Sequence, residues 1–314
     1  MRIYSTLLLV FCLLFFATLS YAQYNGFDVS GGLIPENEIF SGGPPRDGIP
    51  AINNPRFEPA DKATWLRDGD LVTGVSIGGV ERAYPLRILV WHEAVNDNVG
   101  GKPVLISYCP LCGSTMVFDR NIGGKVYTYG ISGLLHQSDV LFYDRQTESL
   151  WSQLHMKAVT GPMTGTKFDI LPSTLATWKE WKSEHPNTVV LSRNTGYRRD
   201  YDNMPYGGYE GSSTIMFPVR NTSNRFHPKE KVLVVLSGDE AKAYPFSELK
   251  KTSTPFNDKL GGQDIVVRFS DGDFVTATDK SGKPVESFIS YWFAWYTFRP
   301  DTLVFKAGGS SGSD

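Results

Sequence analysis

An ordered series of short motifs occurs twice in this chain, first in residues 80–106 and again in residues 240–267. The shared motifs are Ala-Tyr-Pro, Asn-Asp and Gly-Gly, and the second set follows the first by 160 and then 161 residues. A Trp-x-x-Trp motif that begins at Trp178 recurs at Trp292, only 114 residues later. Copy 1 therefore carries about 46 additional residues between Cys112 and Trp178, and we expect two related units.

The motifs within each copy favour strands joined by tight turns, with only short helices. In copy 1, Gly78-Gly79 separates two alternating segments and predicts a two-residue hairpin turn. Pro85 favours the start of a short helix after the second strand. Trp178 and Trp181 share one face of a later helix, where we expect them to pack in the core. The predicted fold class is α+β, with two related β-rich pseudo-repeats of antiparallel hairpins and short helices, and an extra β segment in copy 1.

The motif positions and the composition divide the chain into six segments. Residues 1–22 form a predicted signal peptide, and residues 23–60, rich in Gly, Pro and Asn, form an extended N-terminal arm. Residues 61–193 form copy 1 with the Cys-x-x-Cys hairpin and the extra segment, and residues 194–231 form a long connecting loop. Residues 232–305 form copy 2, and residues 306–314 form a flexible tail. Loops as long as residues 194–231 are usually functional or disordered.

The N-terminus has the features of an export signal. Arg2 precedes an apolar run over residues 7–19, and Ser20-Tyr21-Ala22 provides a small-residue cleavage pattern. The run is shorter than the roughly 20 residues that span a bilayer, so we expect cleavage near Ala22 and no integral membrane segment afterwards. The predicted location is secreted or periplasmic, and Asn221-Thr222-Ser223 is a glycosylation sequon for a host that glycosylates. A net charge of −2 gives no indication of a nucleic-acid partner.

Cys109-Pro110-Leu111-Cys112-Gly113 contains the two cysteines that remain after removal of the signal peptide. The repeat aligns this motif with a segment in which Asp271-Gly272 predicts an ordinary hairpin turn. The motif is therefore predicted at the tip of a hairpin, whereas the first cysteine of a thioredoxin-like site begins a helix. The pattern resembles the metal-binding knuckle of rubredoxins and zinc ribbons, although those folds use two knuckles and this chain has one.

A metal ion held by one Cys-x-x-Cys motif needs further ligands, and histidine is a natural partner of thiolates. His92 lies just before the strand that leads to Cys109, and His136 and His155 lie in the extra segment of copy 1. Because these residues are concentrated in copy 1, we predict that copy 1 binds a transition-metal ion and that copy 2 is structural. The predicted metal ligands are Cys109, Cys112, His92, His136 and His155, and copper, zinc and iron are all compatible with this set.

Other interpretations of these residues remain open. Cys109 and Cys112 are compatible with a reversible thiol-disulfide pair, although no basic residue lies beside them in sequence to favour the thiolate. They are also compatible with a structural disulfide, which would close a short loop and contribute about 2 kcal/mol. The protein would then be a non-enzymatic binding module that uses the tyrosine-rich loop at residues 197–209. A histidine on a helix is more often an ordinary hydrogen-bonded residue than a ligand.

A group of polar and aromatic residues surrounds a predicted strand at residues 140–143. These residues are candidates to line a pocket, and hairpin turns, surface ion pairs and core packing would also explain them. The group consists of Asp139, Asp144, Arg145, Trp151 and Gln153.

Several motifs together carry a family resemblance. They are Trp91-His92-Glu93, Cys109-Pro110-Leu111-Cys112-Gly113, Tyr143-Asp144-Arg145-Gln146-Thr147, Leu150-Trp151-Ser152-Gln153 and Tyr206-Gly207-Gly208-Tyr209. Over residues 46–305, the chain resembles the bacterial and archaeal family called domain of unknown function 3179. The resemblance implies that residues 138–153 are a standard part of the fold, and it implies no established activity. The sequence thus predicts an exported protein that binds a transition-metal ion for redox chemistry or metal handling.

Overall fold

The computed structural model describes residues 24–270 and 274–308. The predicted signal peptide at residues 1–22, the predicted Asp271-Gly272 turn and the end of the predicted tail lie outside these residues. Strands make up 39% of the chain and helices 10%, so the prediction of a β-rich fold with short helices is confirmed.

The strands are short and follow one another closely along the described chain. In order they are β1 (Ile39–Ser41), β2 (Phe57–Pro59), β3 (Leu71–Ile77), β4 (Val80–Pro85), β5 (Ala94–Val99), β6 (Lys102–Cys109), β7 (Ser114–Asp119), β8 (Asn121–Ile122), β9 (Lys125–Val126), β10 (Tyr129–His136), β11 (Asp139–Asp144), β12 (Leu150–Ser152), β13 (Lys157–Ala158), β14 (Ile170–Leu171), β15 (Thr174–Thr177), β16 (Val189–Leu191), β17 (Lys231–Ser237), β18 (Glu240–Pro245), β19 (Phe256–Leu260), β20 (Gln263–Phe269), β21 (Val275–Thr278), β22 (Ser287–Tyr291) and β23 (Leu303–Val304).

The α-helices of the described residues are all short. They are α1 (Leu86–His92), α2 (Trp178–Glu184), α3 (Phe246–Leu249) and α4 (Trp292–Phe298), and a 3-10 helix precedes β1 at Glu36–Glu38. Helix α2 begins at a capping box, in which Thr177 and Glu180 bond each other's backbone amides. Across residues 24–270 and 274–308, no helix has the length and apolar character needed to cross a membrane.

Three sheets and one two-stranded ribbon account for the strands. The five-stranded sheet has the order β1-β10-β11-β12-β13, and the ribbon pairs β8 with β9. The first eight-stranded sheet has the order β23-β18-β17-β22-β7-β6-β5, with β14 paired to β7. The second eight-stranded sheet has the order β19-β20-β21-β15-β3-β4-β16-β2. Two pairs are parallel, β4 with β16 and β18 with β23, and the others are antiparallel.

Each large sheet combines strands from both predicted copies. Thr115 of β7 pairs with Ile289 of β22 in the first eight-stranded sheet. In the second, Leu175 of β15 pairs with Val275 of β21. Strands β5 to β7 of copy 1 thus lie in a sheet with strands of copy 2, and strands β19 to β21 of copy 2 lie in a sheet with strands of copy 1.

A tight turn and the buried tryptophans agree with the sequence predictions. Gly78 and Gly79 have φ angles of 58° and 78°, and they connect β3 to β4 with Ile77 opposite Val80. Positive φ at both positions defines the turn type that favours glycine and matches the twist of a hairpin. Trp181 and Trp295 are buried, so their expected packing in the core is confirmed.

Residues 24–60, most of the predicted N-terminal arm, contribute strands and core side chains. Strand β1 pairs with β10 and β2 pairs with β16. Phe27, Val29 and Ile34 are buried against the five-stranded sheet. This segment therefore helps to hold the extra β segment of copy 1, which includes β10 to β13.

Candidate metal centre

Strands β6 and β7 form the hairpin that carries both cysteines. Cys109 is the last residue of β6 and lies opposite Ser114, the first residue of β7. The amide of Cys112 donates to the carbonyl of Cys109 at 3.2 Å, and Gly113 has a φ of 56°. A Cβ at Gly113 would lie 2.6 Å from the ring of Tyr291, so this position requires glycine on both counts. The prediction that the motif occupies a hairpin turn is confirmed.

The two cysteines are free thiols in the core. Cys109 is 2% exposed and Cys112 is fully buried, and the two approach to 3.5 Å. A disulfide would require about 2.05 Å between the sulfurs. Two thiolates on one tetrahedral zinc ion would lie about 3.8 Å apart, given Zn–S bonds of about 2.3 Å. The observed spacing therefore favours a dithiol that is close to a chelating geometry, and the structural disulfide is not present.

Asp139 completes a cluster with the two cysteines. It begins β11, directly after a turn in which Gln137 and Ser138 both have positive φ. One ligand atom from each of Cys109, Cys112 and Asp139 lies within 4.8 Å of the others, and all three residues are buried. The carbonyl of Ser138 also lies 3.3 Å from the Cys112 sulfur. The turn between β10 and β11 is thus folded against the cysteine hairpin.

The hydrogen bonds of Asp139 leave one carboxylate oxygen free. Oδ2 accepts from the Ser152 hydroxyl at 3.2 Å and from the Leu154 amide at 3.0 Å. Oδ1 is buried and accepts no well-formed hydrogen bond in the described part of the chain, although the Val140 amide and the Cys112 thiol lie near enough to the carboxylate to lower its pKa. Buried polar atoms without partners are rare in folded proteins and cost about 1–3 kcal/mol each. Oδ1 is therefore the atom that a bound cation would use.

Burial favours the protonated forms of Asp139 and Cys112 in the absence of a cation. It raises the pKa of Asp139 to about 7. It also raises the pKa of the Cys112 thiol well above its ordinary value, and Cys109 and Asp139 raise it further. A metal ion that binds here must displace these protons, so its affinity will increase with pH.

Glu93 adds a second buried carboxyl group to this region. It ends α1 with a left-handed φ of 57°, and its carbonyl accepts from the Tyr108 amide at 2.8 Å, next to Cys109. Burial, followed by repulsion from Asp139, raises the pKa of Glu93 to about 8. The sequence analysis included Glu93 in the Trp91-His92-Glu93 motif but assigned it no role.

Four tyrosines surround the thiols and the two carboxyl groups. Burial raises the pKa values of Tyr108, Tyr206, Tyr209 and Tyr291, and each is raised further by a cysteine, Glu93 or another tyrosine. Tyr206 and Tyr209 belong to the tyrosine-rich loop, which therefore packs against the cysteine hairpin. Tyr209 and Tyr291 lie in the same buried core cluster as both cysteines.

Lys229 holds the long connecting loop in place beside the cluster. Its ammonium group is buried, donates to the carbonyls of Ser212 and Thr214 at 2.9 Å and 2.6 Å, and lies 4.1 Å from the ring centre of Tyr209. A cation that bonds two carbonyls and an aromatic face fixes the loop without a carboxylate partner. Tyr209 belongs to the same buried core cluster as Cys109 and Cys112, so this part of the loop packs near the candidate site.

The residues predicted to line a pocket separate into two groups. Asp139 lies in the cluster, and Gln153 lies behind it, where its side chain bonds Ser114 and donates to Ser107 at 2.8 Å. The other residues of the group stabilise the five-stranded sheet. Asp144 accepts from Trp151 Nε1 at 2.9 Å and Arg145 pairs with Asp47 at 2.7 Å.

The three predicted histidine ligands lie outside the cluster. In the described ranges, Cys109, Cys112 and Asp139 are the one group of three or more candidate ligand atoms that meet. His92 bonds the Pro50 carbonyl and the Tyr201 hydroxyl, both at 2.7 Å, so both ring nitrogens are occupied. His136 and His155 lie beside each other, with ring centres 5.4 Å apart.

The fold and the site define a β-rich protein with a buried Cys-Cys-Asp cluster that has the ligand types of a transition-metal centre. Residues 46–302 match the family described as "Protein of unknown function (DUF3179)", and the chain belongs to this family. Comparison with curated proteins and with solved structures gives no match.

Proposed function

We propose that the protein binds one transition-metal ion through Cys109, Cys112 and Asp139, and uses it for redox chemistry or metal handling. The observation that carries the proposal is Oδ1 of Asp139, a buried oxygen without a partner in the described chain, in a cluster with two thiols. Two thiolates and one carboxylate suit zinc or iron, and the thiolates also suit copper. Three protein ligands leave one coordination position for a further ligand, as in catalytic zinc sites.

The charges that the cluster carries when ionised would balance the charge of a divalent cation. Two thiolates neutralise a divalent ion, and the Asp139 carboxylate would give the centre one negative charge. Ionised Glu93 would add another in a buried environment, and burial already favours its neutral form. A neutral Glu93 can then donate a hydrogen bond toward the centre, which orients a ligand without adding charge.

The first test is metal content after purification under reducing conditions. By elemental analysis, we expect the wild type to contain about one more ion per chain than a Cys109→Ser/Cys112→Ser variant. Asp139→Asn should weaken binding by roughly 10-fold or more, since it removes an anionic ligand. Asp68→Asn changes an exposed carboxylate and serves as the matched control.

Substitution with Co²⁺ identifies the ligands independently of the native metal. Thiolate coordination produces near-ultraviolet charge-transfer absorption that nitrogen and oxygen ligands do not produce. We expect this absorption in the wild type and in Asp68→Asn, and its loss in the double-serine variant. A wild type that holds no more metal than the double-serine variant would show that the cluster is not a metal site.

The free thiols favour one other function, a reversible dithiol. Two sulfhydryls at 3.5 Å need only a small movement to form a disulfide. The raised pKa of Cys112 and its burial oppose it, because thiol exchange requires an accessible thiolate. A measured reduction potential in the range of known oxidoreductases, together with absence of metal, would favour the dithiol.

We also infer that the mature protein works outside the cytoplasm, after cleavage near Ala22. The predicted signal peptide supports this inference. Thiols so close together would tend to oxidise in such a compartment, and a bound metal ion would protect them. N-terminal sequencing of the protein from the exported fraction tests the location, and an intact Met1 would contradict it.

We further infer that the two copies descend from one duplicated unit, and that copy 1 gained chemistry while copy 2 stayed structural. Matched contacts support this inference. Tyr84 donates to Asp97 and Tyr244 to Asp258, in both cases within copies of the same motifs. The indole groups of Trp181 and Trp295 donate at 2.9 Å to the hydroxyls of the corresponding threonines, Thr188 and Thr302.

A further inference from the structure

Two histidines form a separate cluster beside the buried cysteines. The rings of His136 and His155 have centres 5.4 Å apart and an interplanar angle of 16°. The edge of Phe298 packs against both rings. The His136 side chain is 4% exposed, and its Nδ1 has no hydrogen-bond partner in the described chain. His155 is half-buried, and none of the described residues bonds its ring nitrogens.

A carboxylate orients the His136 ring. Oε2 of Glu38 lies 3.3 Å from Nε2 of His136. Glu38 is held in turn by the side chain of Gln137 at 3.1 Å and by Arg220. A carboxylate that accepts a hydrogen bond from one ring nitrogen leaves the lone pair of the other nitrogen free, which is the usual support of histidine ligands in metalloproteins.

The protonation state of both imidazoles is the one that metal binding requires. Burial, together with the smaller effect of the neighbouring His136, lowers the pKa of His155 to about 4. Burial also lowers the pKa of His136. Both rings are therefore neutral near pH 7, and neutral imidazole is the form that coordinates metal.

The histidine pair is connected to the cysteine cluster through two short turns. His136 and Asp139 are opposite residues at the end of the hairpin formed by β10 and β11. His155 donates its amide to Ser152, and Ser152 and Leu154 both donate to Asp139. The same two turns thus carry His136 and His155, which we call the outer cluster, and hold the carboxylate of Asp139. Cys109, Cys112 and Asp139 are the inner cluster.

We propose that His136 Nδ1 and His155 bind a second divalent ion of the borderline class, such as Zn²⁺ or Cu²⁺, and that this site loads the buried one. The inner cluster is at most 2% exposed at its cysteines, so an ion needs an outer position before it enters. His155 is the more exposed of the two residues, and its turn also carries the groups of Ser152 and Leu154 that bond Asp139. The loading role rests on the proposed function of the cysteine cluster, whereas binding at the histidine pair does not.

Zn²⁺ titration of reduced, metal-free protein tests the second site. We expect two ions for the wild type and one for Cys109→Ser/Cys112→Ser. Adding His155→Gln to the double-serine variant should abolish the remaining ion. Glu38→Gln should weaken the outer site by about 10–100-fold, because a supporting carboxylate tunes its histidine.

The control is His185→Gln, which removes a histidine that pairs with Glu81 outside both clusters. It should bind two ions with unchanged affinities. His136→Gln provides a second test of the pair, and circular dichroism of each variant establishes that it is folded. A folded double-serine variant that binds no Zn²⁺, or that keeps its ion after His155→Gln, would refute the second site.

Co²⁺ loading separates the two proposals. The thiolate absorption should appear with the same final amplitude in wild type and His155→Gln, but at least several-fold more slowly in the variant. Equal rates would refute the loading role and leave outer binding intact. Absence of thiolate absorption in every variant would refute the cysteine site, and one Zn²⁺ lost on His155→Gln would still establish the outer site.

Discussion

Glu93→Gln is the substitution that most directly tests the electrostatics of the buried cluster. Glutamine has nearly the same shape as a protonated glutamic acid, and it cannot ionise. If burial keeps Glu93 neutral, the wild type must lose stability as rising pH drives this carboxyl group to ionise in the unfolded chain. The variant must lack that loss, so the difference in the free energy of unfolding between the two proteins should depend on pH.

The magnitude follows from the pKa of Glu93, which rises from 4.5 to about 8 in the fold. Each tenfold change in proton affinity is worth about 1.4 kcal/mol, so the full effect is about 5 kcal/mol. Between about pH 5 and pH 8.5 the expected change is about 4 kcal/mol, because the unfolded group is already partly ionised at the lower value.

The sign is set by the direction of the pKa change. The folded protein binds the proton more tightly than the unfolded chain, so the free energy of unfolding is highest below about pH 4.5 and falls until about pH 8. Glu93→Gln should therefore gain about 4 kcal/mol relative to the wild type over this interval. Any constant effect of the amide cancels in this comparison.

The assay is urea unfolding of reduced, chelator-treated protein, followed by tryptophan fluorescence at several pH values. Glu184→Gln is the matched control, because Glu184 is exposed at the end of α2. Its difference from the wild type should stay constant with pH. If the free energy of unfolding of Glu93→Gln also differs from the wild type by an amount that is constant with pH, Glu93 is ionised in the folded protein. Burial then does not keep this carboxyl group protonated, and our reasoning is wrong.

Two further substitutions test the scaffold. Gly74→Ala should lower the free energy of unfolding by about 3 kcal/mol in urea titrations, because the new Cβ would lie 2.2 Å from the ring of Trp181. Gly69→Ala, where the Cβ meets nothing within 4 Å, should have almost no effect, and equal effects would contradict this reasoning. Asp144→Ala should cost about 3 kcal/mol by thermal or urea unfolding, since it leaves Trp151 Nε1 and turn amides without their acceptor. Its metal content should remain that of the wild type, and loss of metal would place Asp144 in the site.

The sequence was sufficient for features that depend on local patterns. Two adjacent glycines predict the turn between β3 and β4, and the strand that follows Gly113 excludes a thioredoxin-like helix at Cys109. Repeated spacing of tryptophans also predicted which side chains fill the core. These predictions succeed because each feature has a local cause. A positive φ at a turn, or the side chains that share one helix face, depends only on residues close together in sequence.

The ligand set could not be read from the sequence, because it depends on how distant hairpins pack. His92 lies next to Glu93 in sequence, yet its ring bonds Pro50 and Tyr201, while Glu93 lies beside the thiols. Asp139 comes close to Cys109 only because the β10–β11 hairpin folds against β6 and β7. The sequence did place Asp139 among the residues that could line a pocket.

In the metal-free protein, the buried polar groups of the cluster lower the stability of the fold, so a contribution to stability does not explain their presence. The carboxyl groups of Asp139 and Glu93 are buried, Oδ1 of Asp139 has no hydrogen-bond partner among the described residues, and burial raises the pKa of both groups. Apolar side chains of similar volume would avoid this cost. A cation reverses the balance, because it replaces the protons and can contribute about 10 kcal/mol or more on binding to thiolates. The stabilisation that metal provides should therefore increase over the same pH interval in which the metal-free protein loses stability.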